Sequence, residues 1–285
     1  MPPRYDTVSL LTDYGLTDEF VGVMKSVLRD LAPHVVTIDL THEIPPHDVR
    51  AGALALARCV QYVAAGVVVA VVDPGVGTSR KPIAVEVAGG AGVLVGPDNG
   101  LLAPAVQLAG GAERAVVLTN TAHHLPSPAA TFDGRDVFAP VAAALCNGVP
   151  FEDLGELVDP ASLTPSLIPI TRTEGDELYG EVLWVDRFGN AQLNVDPDEL
   201  DAGSSRFQLR WRDQVRSARR VQAYAELAPN EVGLVVDSYG LVSVVLDRRP
   251  AAAELGLAAG DQVVLVPLGE EPPKGPVSTP VAFRR

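Results

Sequence analysis

The chain is poor in cysteine, in net positive charge and in long apolar runs. Only Cys59 and Cys146 occur in 285 residues. Both sit in small apolar contexts, ALARCVQYV and VAAALCNGV, without metal-ligand spacing, so they read as buried free thiols. A net charge of −14 argues against a nucleic-acid partner, which needs a basic face. The one basic patch, Arg210 to Arg220, alternates its charges across a strand–turn–strand pattern and reads as a solvated face. No window approaches the length of a membrane span, and the longest uncharged apolar stretch, Val63 to Val72, is strand-sized. The opening MPPRYDTVSLLTDYG lacks a signal-peptide core, so a soluble, cytoplasmic protein is expected. There is no Walker loop, GxSxG elbow, HExxH, paired CxxC or internal repeat.

What is present centres on Val67 to Arg80, VVVAVVDPGVGTSR. Six small or β-branched apolar residues end abruptly at Asp73, with Pro74, Gly75, Gly77 and Arg80 following. Such a run predicts a strand buried on both faces, as in a parallel sheet. Ligands bind beyond the carboxyl ends of such strands, which makes Asp73 and Arg80 candidates for a reaction centre.

Around this strand the first half alternates β and α. Val8–Thr12, Val35–Leu40, Ile83–Val87, Val93–Val95 and Ala115–Leu118 read as strands. Helices are expected at Glu19–Leu31, capped by Thr17 or Asp18, at Ala51–Tyr62, capped by Asp48, at Leu101–Leu108 and at Val137–Asn147. Asp159 to Pro169 is proline-punctuated and suits a linker. Beyond it, short runs at 178–185, 191–195, 207–211, 232–236, 242–246 and 262–266 predict a small β-barrel or sandwich, with helix only near Pro250–Leu255. The expected architecture is therefore an α/β domain with a largely parallel sheet over 1–168, then a smaller all-β domain over 169–285. The proline-rich tail from Glu270 is expected to be loose.

One pattern recurs in the first half, a carboxylate at a strand end followed closely by glycine: Asp13-Tyr14-Gly15, Asp73-Pro74-Gly75 and Asp133-Gly134. Adjacent parallel strands would bring these loops to one rim, where a carboxylate can accept both hydroxyls of a ribose diol.

Six segments resemble one family throughout: LLTDYGLTDEFVG (Leu10 to Gly22), DLTHEIPPHDV (Asp39 to Val49), VVDPGVGTSR (Val71 to Arg80), VGPDNGLL (Val95 to Leu102), TFDGRDVFAPVAA (Thr131 to Ala143) and VDRFGNAQLN (Val185 to Asn194). The family is the S-adenosylmethionine hydroxide adenosyltransferases, relatives of fluorinating and chlorinating enzymes. The resemblance implies a two-domain homotrimer with a small-molecule substrate, S-adenosylmethionine, between one subunit's first domain and its neighbour's barrel. No cofactor or metal is implied. Asp13 resembles the ribose-binding carboxylate, and Asp18 lies where the family contacts the methionine portion. Asp186 resembles the group meeting the methionine amino end, and Asn190 the adenine reader with Phe188 beside it. Ser238 would face the nucleoside, although Phe188 and Ser238 also suit ordinary barrel packing.

In the halogenating branch the aspartate of DPGVGTSR is replaced by tyrosine. Asp73 and Arg80 therefore resemble the water-activating set of the hydrolytic branch. That branch reads TFHGRD where this chain reads TFDGRD, so Asp133 stands in the histidine's place. Two nearby carboxylates resist full double ionisation, which either serves general-base work or repels hydroxide. His123 and His124 read as surface-loop residues. Three functions follow as expectations: hydrolysis of S-adenosylmethionine to adenosine and methionine, halide transfer, or nucleoside binding with the chemistry lost.

Overall fold

A computed structural model describes residues 4–166 and 168–269, so the expected loose tail lies outside the described residues. The chain divides into two compact units, Met1–Leu167 and Ile168–Arg285.

The first unit is built on a seven-stranded sheet in the order β2-β1-β3-β5-β4-β6-β7. Its strands are β1 (Thr7–Thr12), β2 (Val36–Thr41), β3 (Gly66–Val71), β4 (Pro82–Val87), β5 (Gly92–Pro97), β6 (Arg114–Val117) and β7 (Glu156–Val158). The four strands β2, β1, β3 and β5 run parallel, and β4, β6 and β7 join antiparallel. Four helices cover the two faces: α1 (Phe20–Leu31), α2 (Val49–Cys59), α3 (Ala103–Leu108) and α4 (Ala139–Cys146).

The all-apolar character of β3 follows from its central place. Every residue of it is buried. Val67, Val69 and Val71 pack with Met24 and Leu28 of α1 and with Val141 and Leu145 of α4. The alternate residues Val68 and Ala70, and then Val72, pack with Ala53 and Leu56 of α2 and with Ala105 and Val106 of α3. Two-residue periodicity thus feeds two separate cores from one strand. Each fully buried valine contributes about 1.5–3 kcal/mol by leaving water.

Several local expectations are corrected. Neither Thr17 nor Asp18 caps α1; the helix starts after Glu19 with no side-chain cap. Asp48 does cap α2, accepting the Ala51 N–H at 2.8 Å. Before α4 the chain makes one wide π turn, Gly134–Phe138, in which the Ala139 N–H bonds the Gly134 carbonyl. Strand β7, within the stretch leading to the expected linker, is an addition. Cys146 is buried, with its thiol pushed up to about 12 by burial, whereas Cys59 is only half-buried; both are free.

The second unit is a closed barrel. Its strands are β8 (Arg172–Glu174), β9 (Glu177–Val185), β10 (Ala191–Leu193), β11 (Arg206–Trp211), β12 (Gln214–Arg220), β13 (Val232–Val236), β14 (Val242–Val245) and β15 (Gln262–Leu268), with a short helix α5 (Ala251–Leu255). The order β10-β14-β13-β12-β11-β15-β9 closes because β10 also pairs with β9, and β8 hangs on the outer part of β9. Closure removes the exposed edges that an open sheet of this size would carry. Phe207, Leu209, Trp211, Leu234, Val244 and Leu265 fill its interior.

Candidate active site

The parallel pairing of β1 and β3, with Thr12 opposite Val71, delivers the next residues to one rim. The Asp13 N–H donates to the Val71 carbonyl at 3.3 Å, and Asp13 Oδ2 accepts the His47 N–H at 2.9 Å. Asp73 leaves the end of β3 through a tight loop. Gly77, at φ +76°, lies so near the 129–131 segment that a Cβ there would stand 2.6 Å from the Ala130 carbonyl oxygen. Only glycine permits both that backbone and that approach.

This approach brings together Asp73, Arg80 and Asp133. Arg80 Nε donates to Asp73 Oδ1 at 3.0 Å, and Nη2 donates both to Asp73 Oδ2 and, at 2.8 Å, to Asp133 Oδ2. All three side chains are buried or nearly so, at 5% exposed for Asp73, 7% for Arg80 and 15% for Asp133. The fork uses the Nε proton and both Nη2 protons. Nη1 is buried without a hydrogen-bond partner among the described residues, 5.8 Å separating the guanidinium carbon from the Phe138 ring centre. A buried unpaired donor costs stability unless a ligand or water meets it. Burial raises the Asp73 carboxyl above its ordinary value; Arg80 opposes that rise and Asp133 adds to it.

Asp133 is therefore in the cluster, but not as a strand-end carboxylate. It stands at the head of the π turn, a backbone form that is rare and concentrates at functional sites. Asp13 reaches the same surroundings through its neighbour Tyr14. Burial raises the Tyr14 hydroxyl, and the carboxylates of Asp13, Asp73 and Asp133 raise it further, so it stays protonated. Tyr14, Phe20 and Phe132 form an aromatic wall with ring centres 5.0–5.6 Å apart. A Cβ on Gly134 would stand 2.7 Å from Tyr14 Oη and 3.1 Å from Met24 Sδ. Nothing in the sequence singles out Tyr14 within LLTDYGLTDEFVG, because its place depends on Gly134 leaving room for the hydroxyl. Asp18 is exposed between Asp13 and α1, outside this cluster.

Other motif residues act as braces. Asn99 Nδ2 bonds the Val72 carbonyl at 2.9 Å and Asn99 Oδ1 accepts the Leu101 N–H, tying PDNG to the end of β3. Buried His42 shares a 2.9 Å hydrogen bond through Nδ1 with Thr12 Oγ1, and its carbonyl accepts the Gly15 N–H.

In the barrel, two hairpin loops repeat one design. Asp186 Oδ1 accepts the N–H groups of Phe188 and Asn190, while Oδ2 accepts Asn190 Nδ2 at 2.8 Å. Asp237 Oδ1 accepts the N–H groups of Tyr239 and Leu241, while Oδ2 accepts Gln192 Nε2 and Ser243 Oγ. Strands β10 and β14 pair antiparallel, Gln192 opposite Ser243, so the two loops leave opposite ends of this short pair while the Asp237 carboxylate reaches along it to Gln192. Phe188 and Tyr239, two residues after each aspartate, project at 77% and 54% exposed; Ser238 is exposed beside them. Burial, Asp186 and Asp237 together raise the Tyr224 hydroxyl, which places that side chain near both carboxylates. Phe188 is thus not barrel packing. The sequence does not single out Asp237, Tyr239 and Tyr224, because only folding brings the Asp237 carboxylate to Gln192 and Tyr224 near both aspartates.

Among the described residues no cluster of three or more His, Cys, Asp or Glu could hold a metal ion. No helix among them is long and apolar enough to cross a membrane.

The first unit is thus an α/β sheet with a carboxylate–arginine cluster on its rim, and a closed barrel follows it in the chain. Residues 8–155 match the SAM hydroxide adenosyltransferase N-terminal domain and residues 180–264 its C-terminal domain. The chain belongs to this family. It is 45% identical to a Salinispora tropica protein named (R)-S-adenosyl-L-methionine hydrolase, over 90% of this chain and 96% of that one. At 24% identity it is similar to a fluorinase of an Actinoplanes species, over 89% and 95% of the two chains. A crystal structure from Thermotoga maritima superposes with a TM-score of 0.83 at 31% identity, covering 91% of this chain and 99% of that one.

Proposed function

We propose that this chain hydrolyses S-adenosyl-L-methionine to adenosine and L-methionine, water attacking the ribose C5′. The observation that carries the reading is the Arg80 fork, held on two carboxylates with its buried Nη1 unspent. The C5′–O bond forms as the C5′–S bond breaks, its electron pair neutralising the sulfonium. The proton lost by the water passes to Asp73 and then to solvent. Burial makes Asp73 a better acceptor than an ordinary carboxylate, and Arg80 Nη1 donates to the water oxygen and fixes its line of attack. Protein-held dipoles replacing bulk water suit a step in which a cation loses its charge.

In this reading Asp13 accepts the ribose hydroxyls and Asp18 meets the methionine portion. Asp186 has one lone-pair position on Oδ2 to spare for the methionine ammonium, after the bonds that shape its own loop. Asn190 reads the adenine, Phe188 stacks beside it, and Ser238 lies at the nucleoside. The barrel residues come from a neighbouring subunit of a homotrimer, the reaction runs in the cytoplasm, and no cofactor or metal takes part.

The test is incubation with S-adenosyl-L-methionine in oxygen-18 water. Adenosine labelled at its 5′-hydroxyl, with unlabelled methionine, is the expected product. Binding without product overturns hydrolysis in favour of a binding protein, and a 5′-halo-adenosine formed with chloride or bromide overturns it in favour of halide transfer. Asp73→Asn is expected to abolish turnover while keeping substrate affinity. Light scattering during size exclusion reads the trimer.

A further inference from the structure

The turn that carries Asp13 is gripped by the segment that follows β2. Leu10 lies opposite Asp39 but Leu11 lies opposite Thr41, so β2 carries one extra residue where it leaves β1. Such a bulge re-aims the side chains around it. The next residue, His42, is only 3% exposed. Its Nδ1 lies 2.9 Å from Thr12 Oγ1, and the same hydroxyl oxygen accepts the Tyr14 N–H at 3.2 Å. The His42 carbonyl accepts the Gly15 N–H at 2.7 Å, and the His47 N–H reaches Asp13 Oδ2 at 2.9 Å. His47 holds that donor in place at φ +67°, a backbone that a non-glycine residue adopts only when its surroundings impose it. Every residue from Thr12 to Gly15 is therefore held, and His42 supplies two of the holds.

The far side of the His42 ring meets charge. Nε2 lies 3.1 Å from Asp39 Oδ1, out of line for a hydrogen bond, and is buried with no hydrogen-bond partner among the described residues. Asp39 Oδ2 accepts from Lys25 Nζ of α1 at 2.5 Å. Burial pushes the Asp39 carboxyl up, but Lys25 and His42 outweigh it and hold the group below its ordinary value, so it is an anion. Thr12 Oγ1, which accepts from Tyr14, keeps its own O–H to donate to Nδ1. A neutral ring then carries its proton on Nε2, on the side of the Asp39 anion. The ring is a wedge between a carboxylate on β2 and the hydroxyl that starts the Asp13 turn.

We infer that His42 is a positioning residue for ribose recognition: braced by Asp39, it fixes Thr12 and the turn behind it so that the Asp13 carboxylate faces the substrate's hydroxyls. The inference rests on the reading of Asp13 as the ribose-binding group. Asp13 Oδ2 already takes the His47 N–H, so the turn has to present the remaining lone pairs to the diol. A misplacement of about 1 Å in such a contact costs up to about 10²-fold in rate. Buried behind the turn, His42 acts only through Asp13.

The values of kcat/KM for S-adenosyl-L-methionine and its 2′-deoxy analogue test this. The wild type should favour the parent by at least about tenfold, the worth of one hydroxyl on a carboxylate. His42→Leu, which fills the space without either ring nitrogen, should bring the two substrates close to parity by losing activity on the parent alone. His42→Asn keeps an acceptor where Nδ1 stood and should restore most of the preference; failure to restore it overturns the inference. A His42→Leu loss of equal size on both substrates marks mere scaffolding and overturns it too, as does a preference that survives unchanged. Should His42→Leu fail to fold, Thr12→Val decides, since it keeps the shape and removes only the hydroxyl. It should lose the same preference, and retention of the preference overturns the inference. No preference in the wild type overturns the reading of Asp13 and the inference with it. If no adenosine forms, hydrolysis alone fails, and calorimetric affinities for the two compounds give the same ratio in each variant.

Discussion

Arg80 Nη2 lies 2.8 Å from Asp133 Oδ2 while the same guanidinium grips Asp73 through two donors. One cation thus holds two buried carboxylates apart and in register. A planar fork with fixed donors can do this, whereas an ammonium cannot. Arg80→Lys should fold yet lower kcat by about 10²–10³-fold, the loss typical when one oriented donor is removed from a reaction centre. Steady-state assays with a parallel binding titration check it, substrate affinity being little changed.

Gly134 and Tyr14 are coupled by space. A Cβ on Gly134 meets Tyr14 Oη at 2.7 Å and Met24 Sδ at 3.1 Å. Gly134→Ala should destabilise the protein by about 1–3 kcal/mol in urea unfolding, from overpacking. Tyr14→Phe removes the hydroxyl and should recover part of that loss. The double variant is expected to be more stable than the sum of the single effects, since contacting residues are not additive.

Phe188 carries a prediction about binding alone. It is 77% exposed, so Phe188→Ala should leave thermal stability unchanged. Loss of a stacking face should raise KM by about 1–3 kcal/mol in free-energy terms, with kcat preserved. Initial-rate measurements separate the two parameters.

Glu86, 4% exposed on β4, accepts from Arg4 at 2.7 Å and from Arg114 at 2.6 Å. The Arg114 hydrogen bond, ahead of that from Arg4, holds its carboxyl below the ordinary carboxylate range. A folded-state value below the unfolded one gives stability present above the unfolded value and lost as pH falls through the folded one. Wild type should therefore exceed Glu86→Gln by about 1–2 kcal/mol near neutrality, with the gap closing below about pH 4. Thermal unfolding across pH reads both limbs.

The amino-acid sequence by itself determined the elements and their chemistry. The run Val67–Val72 is apolar at every position because both faces of β3 are covered, and that was legible without coordinates. So was an all-β second unit, since short alternating runs between turns bury one face of a sheet, but its closure into a barrel rather than a sandwich comes from the pairing of β10 with β9. Asp13 and Asp73 are legible because each ends an apolar run beside glycine, a pattern of rim sites, whereas Arg80 and Asp133 are legible only through the motifs that hold them.

Only the tertiary structure decided who meets whom. Pairing of β1 with β3 and the contact of Gly77 with Ala130 are contacts between residues far apart in the chain, and they set the Asp73–Arg80–Asp133 cluster. Tyr14 carries no signal of its own in the sequence; its place is set by Gly134, which leaves room for its hydroxyl. His124 reads from the sequence as a surface-loop residue, yet the Leu125–Asp136 hydrogen bond ties its segment down and its Nε2 is buried. Local sequence encodes periodicity and turn chemistry, which act over a few residues. Burial and electrostatic linkage depend on distances in space, and these exist only once the chain has folded.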